Sequence, residues 1–187
     1  MNIPEDAVLP CFIDFEASSL NPESYPIQVA WSLPDGRVFD HFIDPRWVTN
    51  WTDWDDEAEW EIHRISRALL HDVGAPPQKV AERMNTMLAG YTLYADGLPF
   101  DQLWLDALFE AGGLRPAFRL ASFQELIHAT VPAAFDGLTL ADRHGRWLAF
   151  EREARAAVPG RPHLADNDVR YLQAFYGLAL EYEGGGD

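Results

Sequence analysis

One cysteine, Cys11, stands in the whole sequence, so no disulfide can form within the chain and a reducing cytoplasm is its expected home. Lysine is almost as scarce. Lys79 is the single lysine among 14 basic residues, which face 30 acidic ones for a formal charge of −16. That balance excludes the broad basic surface with which proteins grip long nucleic acid, because neutralised phosphates supply most of such affinity. The basic residues that remain are arginines, whose forked guanidinium suits phosphate and carboxylate oxygens. No run approaches the ~18 apolar residues of a membrane span. Met1-Asn2-Ile3-Pro4-Glu5-Asp6 has neither the basic nor the apolar stretch of a secretory leader, so no membrane is expected among the partners. No repeat and no linker divides the chain. Its 187 residues suit one domain with a normal core, expected over 1–183, followed by a flexible tail at 184–187.

What is present centres on Cys11-Phe12-Ile13-Asp14-Phe15-Glu16-Ala17-Ser18-Ser19-Leu20. A strand turns alternate side chains to one face, so Asp14 and Glu16 project together while Ile13 and Phe15 anchor the other face. An isolated acidic pair of this kind is usually the wet face of an edge strand; a metal site needs further ligands from elsewhere. The first strand is expected over Val8 to Glu16. Strands at 27–32 and 38–43, joined by the turn Pro34-Asp35-Gly36, complete an antiparallel meander of three. Pro76-Pro77 opens a helix carrying Val80, Met84, Met87 and Leu88 at helical spacing, and Thr92 to Ala95 reads as a short buried strand. Phe100, Leu103, Trp104, Ala107, Leu108 and Ala111 then trace one helical stripe after Pro99. Asp101 therefore lies in the first turn of a helix just past a strand's carboxyl end, where open α/β sheets place ligands. Helices are expected at 123–129 behind a Ser122 cap, at 138–158, and along Tyr171, Leu172, Phe175 and Ala179; residues 114–120 show no pattern.

Two stretches invite a functional reading and a plain one. Between Asp44 and Glu61, Trp47, Trp51, Trp54 and Trp60 alternate with acids. This could be a base-stacking platform or a partner surface, but the carboxylates would repel phosphates, and a short amphipathic helix plugging its aromatics into the sheet is favoured. Asp55 and Glu57 share a spacing with Asp14 and Glu16, yet on a helix they would not share a face. Arg143, Arg146, Arg152 and Arg155 form the best candidate phosphate surface; Glu151 and Glu153 among them favour an ordinary solvated face.

Taken together, Asp14-x-Glu16 on the first strand, Phe100-Asp101 at the head of a mid-chain helix and His163 five residues before Asp168 resemble the three motifs of the DEDDh 3′-to-5′ exonucleases. This is the superfamily of the bacterial proofreading subunit, oligoribonuclease and ribonuclease T. The resemblance spans the chain. It implies a ribonuclease H-like α/β fold, a mixed sheet of the antiparallel meander plus parallel strands flanked by helices. It also implies Asp14, Glu16, Asp101 and Asp168 as ligands of two Mg²⁺ ions, with Mn²⁺ as a substitute, and His163 as general base. Ala17, Ser18 and Leu20 would meet the 3′-terminal nucleotide, the first two through their main chain. His63-Arg64-Ile65 stands where the family often has histidine-glycine-isoleucine, making His63 and Arg64 substrate contacts by the same resemblance. Asp96, beside the glycine that replaces a common asparagine, competes with Asp101 as ligand; the Phe100-Asp101 pair favours Asp101. The implied substrates are short 3′ ends of single-stranded RNA or DNA, and some relatives are homodimers. A non-catalytic binding module on the same fold and an acidic interaction protein are the alternatives.

Overall fold

The computed structural model of the chain describes residues 8–184. Its sheet is built outward from β1 (Cys11–Ala17), which takes the central place. On one side β1 pairs antiparallel with β2 (Pro26–Ser32), Ile13 opposite Trp31 and Phe15 opposite Val29, and β2 pairs with β3 (Val38–Phe42). On the other side it runs parallel to β4 (Thr92–Ala95), which pairs in parallel with β5 (Arg119–Ser122). The order is β3-β2-β1-β4-β5, a mixed five-stranded sheet flanked by helices. The expected meander and the strand at 92–95 are therefore present. Strand β5 is the addition, in a stretch without recognisable pattern. Its four residues, Arg-Leu-Ala-Ser, are none of them buried and too few for alternation to show.

The two faces of β1 enter different cores. Cys11, Ile13 and Phe15 pack with Val29 and Trp31 against α2 (Pro77–Leu88) and α3 (Leu98–Ala111), through Val80, Met84, Leu105 and Leu108. Phe12 points the other way, into the aromatic layer of α4 (Phe123–Thr130), α5 (Leu140–Ala157) and α6 (Ala165–Gly184), with Phe123 at 5.8 Å in edge contact. Asp14 and Glu16 follow Phe12 on that same face. Apolar burial at one end of the strand thus holds two carboxylates at the other. Helices α4 and α5 start where expected, Ser122 and Thr139 accepting hydrogen bonds from the amides of Glu125 and Asp142. Helix α1 (Arg67–Val73), capped by Ser66, was not expected. Gly184 closes α6; the rest of the expected tail, 185–187, lies outside the described residues. Among the described residues no helix is long and apolar enough to cross a membrane.

The tryptophan-rich segment corrects the sequence reading. No single amphipathic helix forms; a 3₁₀ turn at Pro45–Trp47 and a π-helical turn at Ala58–His63 are separated by irregular chain. Trp51 does plug in, stacked on Tyr25 at 5.0 Å, and Trp54 meets His63 edge-on while donating to Glu59. Trp47 and Trp60 remain 67% and 70% exposed. Half of the aromatics are structural, because only they face the apolar ends of β2 and α1.

Candidate active site

Three elements deliver the four acids. Asp14 and Glu16 come from β1 and Asp168 from the first turns of α6. All three line one cleft of about 420 Å³ with His63 and His163. Asp101, in the first turn of α3, is 2% exposed and lies beneath this cleft rather than in its wall. Its Oδ2 is buried without a hydrogen-bond partner among the described residues. Asp96 is exposed at the cleft's edge. The two candidates for the fourth acid thus differ in kind, one a buried carboxylate with one unpartnered oxygen and the other a rim residue.

The fields agree with that crowding. Burial, then Asp101, Glu16 and Asp168, push the Asp14 carboxyl well above the usual carboxylate range. Burial and then Asp168 raise Glu16 to about 8, against the opposing charge of Arg161. Burial and then Asp96 raise Asp101 to about 7. So many acids cannot ionise together in a desolvated cleft unless cations enter it. Hard carboxylate oxygens from separate elements, among them the unpartnered Asp101 Oδ2, fit divalent ions. Glu16, His163 and Asp168 add a direct geometric indication: each offers one ligand atom, and these lie within 4.8 Å of one another.

His163 reaches this position through the main chain. It precedes α6 rather than belonging to it, with φ of 62° in the left-handed region, and its N–H donates to Asp168 Oδ2 at 2.8 Å. Two helical residues five apart would point about 500° around the axis, well off one face; the left-handed loop turns the ring back. The imidazole itself is exposed to the cleft. His63 is the opposite case, 2% exposed. Its Nδ1 accepts from the Ile65 N–H at 3.0 Å, which places the ring proton on Nε2, a buried donor without a partner among the described residues. Burial and then Arg161 hold its pKa down to about 4, so the ring is neutral near pH 7.

The softer substrate contacts divide. Ala17 and Leu20 line the cleft, Leu20 71% exposed at its mouth opposite Ile62 and Ala58. Ser18 lies outside the lining. Its N–H donates to the Tyr25 carbonyl, its carbonyl accepts from Asp55 N–H, and its hydroxyl accepts from Tyr25 N–H, so its groups tie the loop together. Arg64 also lies outside, exposed, with φ of 55° and ψ of 30°. It occupies the left-handed conformation that a glycine would hold freely, and its side chain does not crowd the cleft. Asp55 caps the turn below, its Oδ1 accepting from the Glu57 and Ala58 amides, so the Asp55/Glu57 pair is no second ligand set.

Arg64→Gly is accordingly expected to stabilise the fold by about 1 kcal/mol, the left-handed strain of a non-glycine residue less the larger unfolded-state entropy of glycine. Thermal denaturation should show a rise of about 2–4 °C. Arg64→Ala, which keeps the strain, should show none. A fall with glycine equal to that with alanine would mean that Arg64's side chain, and not its backbone, matters.

Two residues of the site escaped the sequence reading. Arg155 on α5 grips Asp168 Oδ1, and its guanidinium lies 3.6 Å from the centre of the Tyr171 ring. The expectation of a solvated arginine face fails at this position because α5 packs along α6 and turns Arg155 inward. Arg161 donates to the carbonyl of His63 and bridges the 159–162 loop to the π-helical turn. Nothing in the local sequence sets either apart from the other arginines.

No family model matches the chain, and no curated protein matches it in sequence. Solved structures do. E. coli exonuclease I in its zinc-bound complex with ssDNA aligns over 94% of this chain with a TM-score of 0.63 at 15% identity, and exonuclease I from Methylocaldum szegediense over 94% with 0.61 at 19%. E. coli exonuclease I bound to a dT13 oligonucleotide aligns over 92% with 0.63 at 14%. The chain spans about two-fifths of those enzymes, 40% of each of the three. At these identities the likeness is one of fold: this chain has the ribonuclease H-like architecture of the exonuclease I structures.

Proposed function

We propose that the chain is a metal-dependent 3′-to-5′ exonuclease of the DEDDh type, hydrolysing the terminal phosphodiester of single-stranded nucleic acid and releasing nucleoside 5′-monophosphates. The observation that carries this is the convergence, on an exonuclease-like fold, of Asp14, Glu16, His163 and Asp168 around one cleft with Asp101, one oxygen unpartnered, beneath it. Asp14, Glu16, Asp101 and Asp168 would hold two divalent ions, Mg²⁺ or Mn²⁺, which supply charge neutralisation at a phosphate and a more acidic water. His163 takes the proton of the attacking water; its exposed ring and main-chain tether to Asp168 suit that task. His63 offers Nε2–H to the substrate from a neutral ring. Leu20, Ala58 and Ile62 form the apolar wall against which the terminal base rests. The narrow acidic cleft suits a single strand, and the ssDNA held by the exonuclease I structures makes DNA the first substrate to try beside RNA.

The test is hydrolysis of 5′-labelled single-stranded DNA and RNA with Mg²⁺, Mn²⁺ or chelator. Products should shorten stepwise from the 3′ end only with metal, and His163→Ala should slow the reaction by about 10²–10⁴, the usual worth of a general base. Intact oligonucleotides with either metal would refute the assignment.

A further inference from the structure

A second cavity exceeds the candidate active site in volume. It is a cleft of about 650 Å³ between α4 and α5, a volume sufficient for a drug-sized ligand. Phe123 and Phe135 form its buried floor. Trp147 and His128 stand above them with ring planes 17° apart and centroids at 6.2 Å, both half-buried. At the rim Leu140 is 85% exposed and Arg143 and His144 lie beside it, Arg143 tethered by a hydrogen bond to the Leu138 carbonyl.

This cavity adjoins the catalytic cleft. Asp96 lines both, and Tyr171 in its wall carries on its ring the Arg155 that grips Asp168. Flat aromatic faces, an exposed apolar rim and a cation set to one side match a base with its phosphate. A bulk charge of −16 makes the placement of Arg143 and His144 here the more telling. The acids Asp96 and Glu151 discourage a lone phosphate from settling deeper in the cavity and leave the aromatic surface to the base. We infer that the α4–α5 cavity receives an unpaired base of the substrate strand, upstream of the nucleotides in the catalytic cleft, stacked on Trp147 and His128 with its phosphate at Arg143. The inference rests on the exonuclease reading. It makes the enzyme a reader of a longer single-stranded segment than its catalytic cleft can hold.

The test compares a dinucleotide, too short to reach the cavity, with pentanucleotides in which one internal base at a time is replaced by an abasic sugar. The parent should show one upstream position where loss of the base raises KM about tenfold, within the range for stacking one base on an aromatic side chain. Trp147→Leu, which preserves apolar packing on Phe175, should raise the pentanucleotide KM by the same factor, and the abasic change should then add nothing. Arg143→Ala should weaken every pentanucleotide alike and reduce the salt dependence of binding by about one charge. The KM for the dinucleotide should stay at the parent value in both variants. Hydrolysis with a KM indifferent to every upstream abasic position and to both variants would overturn the inference and leave the exonuclease reading standing. If nothing is hydrolysed, the failure falls on the exonuclease reading. Pentanucleotide binding by fluorescence anisotropy then decides the cavity alone: Trp147-dependent, base-dependent binding supports it, and its absence overturns it.

Discussion

Asp14→Asn is expected to silence hydrolysis and, in the absence of metal, to make the protein more stable. Both effects come from one carboxylate. Asp14 stands in a field of Asp101, Glu16, Asp168 and Asp96 with most of its hydration removed, and its carboxyl is held well above the ordinary range. Asparagine keeps the shape and removes the charge. The metal-free variant should gain about 1 kcal/mol, read as a rise of about 2–4 °C in melting temperature. With Mg²⁺ the order should reverse, because the parent alone then gains the full free energy of binding at an intact site. Hydrolysis should fall by about 10³ or more, equivalent to the several kcal/mol of charge stabilisation that bound ions contribute at a phosphate. An Asp14→Asn protein that melts lower than the parent in chelator would show that neighbouring arginines already compensate the cluster. Equal activity would remove Asp14 from the site.

The metal-free parent should lose stability as the pH rises from about 6.5 to 8.5. Asp101 titrates near 7 and Glu16 near 8 in the folded protein, against ordinary values of 3.8 and 4.5. Groups with raised folded pKa values bind protons in the folded state that the unfolded chain has released. Their stabilisation is complete below about pH 4 and is lost as the pH passes through 7 and 8. His63 acts in the opposite direction: its pKa falls from 6.5 to about 4 on folding, so it costs stability as the pH drops through that interval. The two effects oppose each other between 4 and 6.5, and the carboxylates act without that opposition above it. Melting temperature against pH in chelator should therefore fall most steeply just above 6.5 and level off once the pH has passed 8. Saturating Mg²⁺ should flatten that fall, since the ion takes the place of the protons. A melting temperature that climbs from pH 6.5 to 8.5 without metal would contradict the assigned shifts.

Most of the sheet could be read from the chain because its strands are apolar enough to announce themselves. Ile13, Phe15, Val29 and Trp31 carry the alternation, and the turn at 34–36 separates β2 from β3. Strand β5 could not be read: it is an edge strand whose half-exposed residues owe their conformation to the Leu93–Leu120 and Tyr94–Ala121 neighbours across from them. The tryptophans of 44–61 looked alike in sequence, and only two of the four found apolar surface.

The site divides along the same line. Two carboxylates two apart on a strand must share a face, and an aspartate behind Gly-Leu-Pro-Phe must fall in a helix's first turn, so Asp14, Glu16 and Asp101 were decided by local geometry acting over a few residues. His163 and Asp168 could be singled out only because their spacing resembles a known motif, and the left-handed backbone that turns the ring back could not be read at all. Arg155, Arg161 and the α4–α5 cavity were decided only by the tertiary structure. An arginine on α5 has no local reason to face inward; it does so because Phe150 and Ala154 bury their helix against α6 and carry Arg155 to Asp168 and Tyr171. Local sequence sets which way a side chain points from its own strand or helix, whereas which charges meet depends on how whole elements pack, a quantity that sums over contacts far apart in the chain.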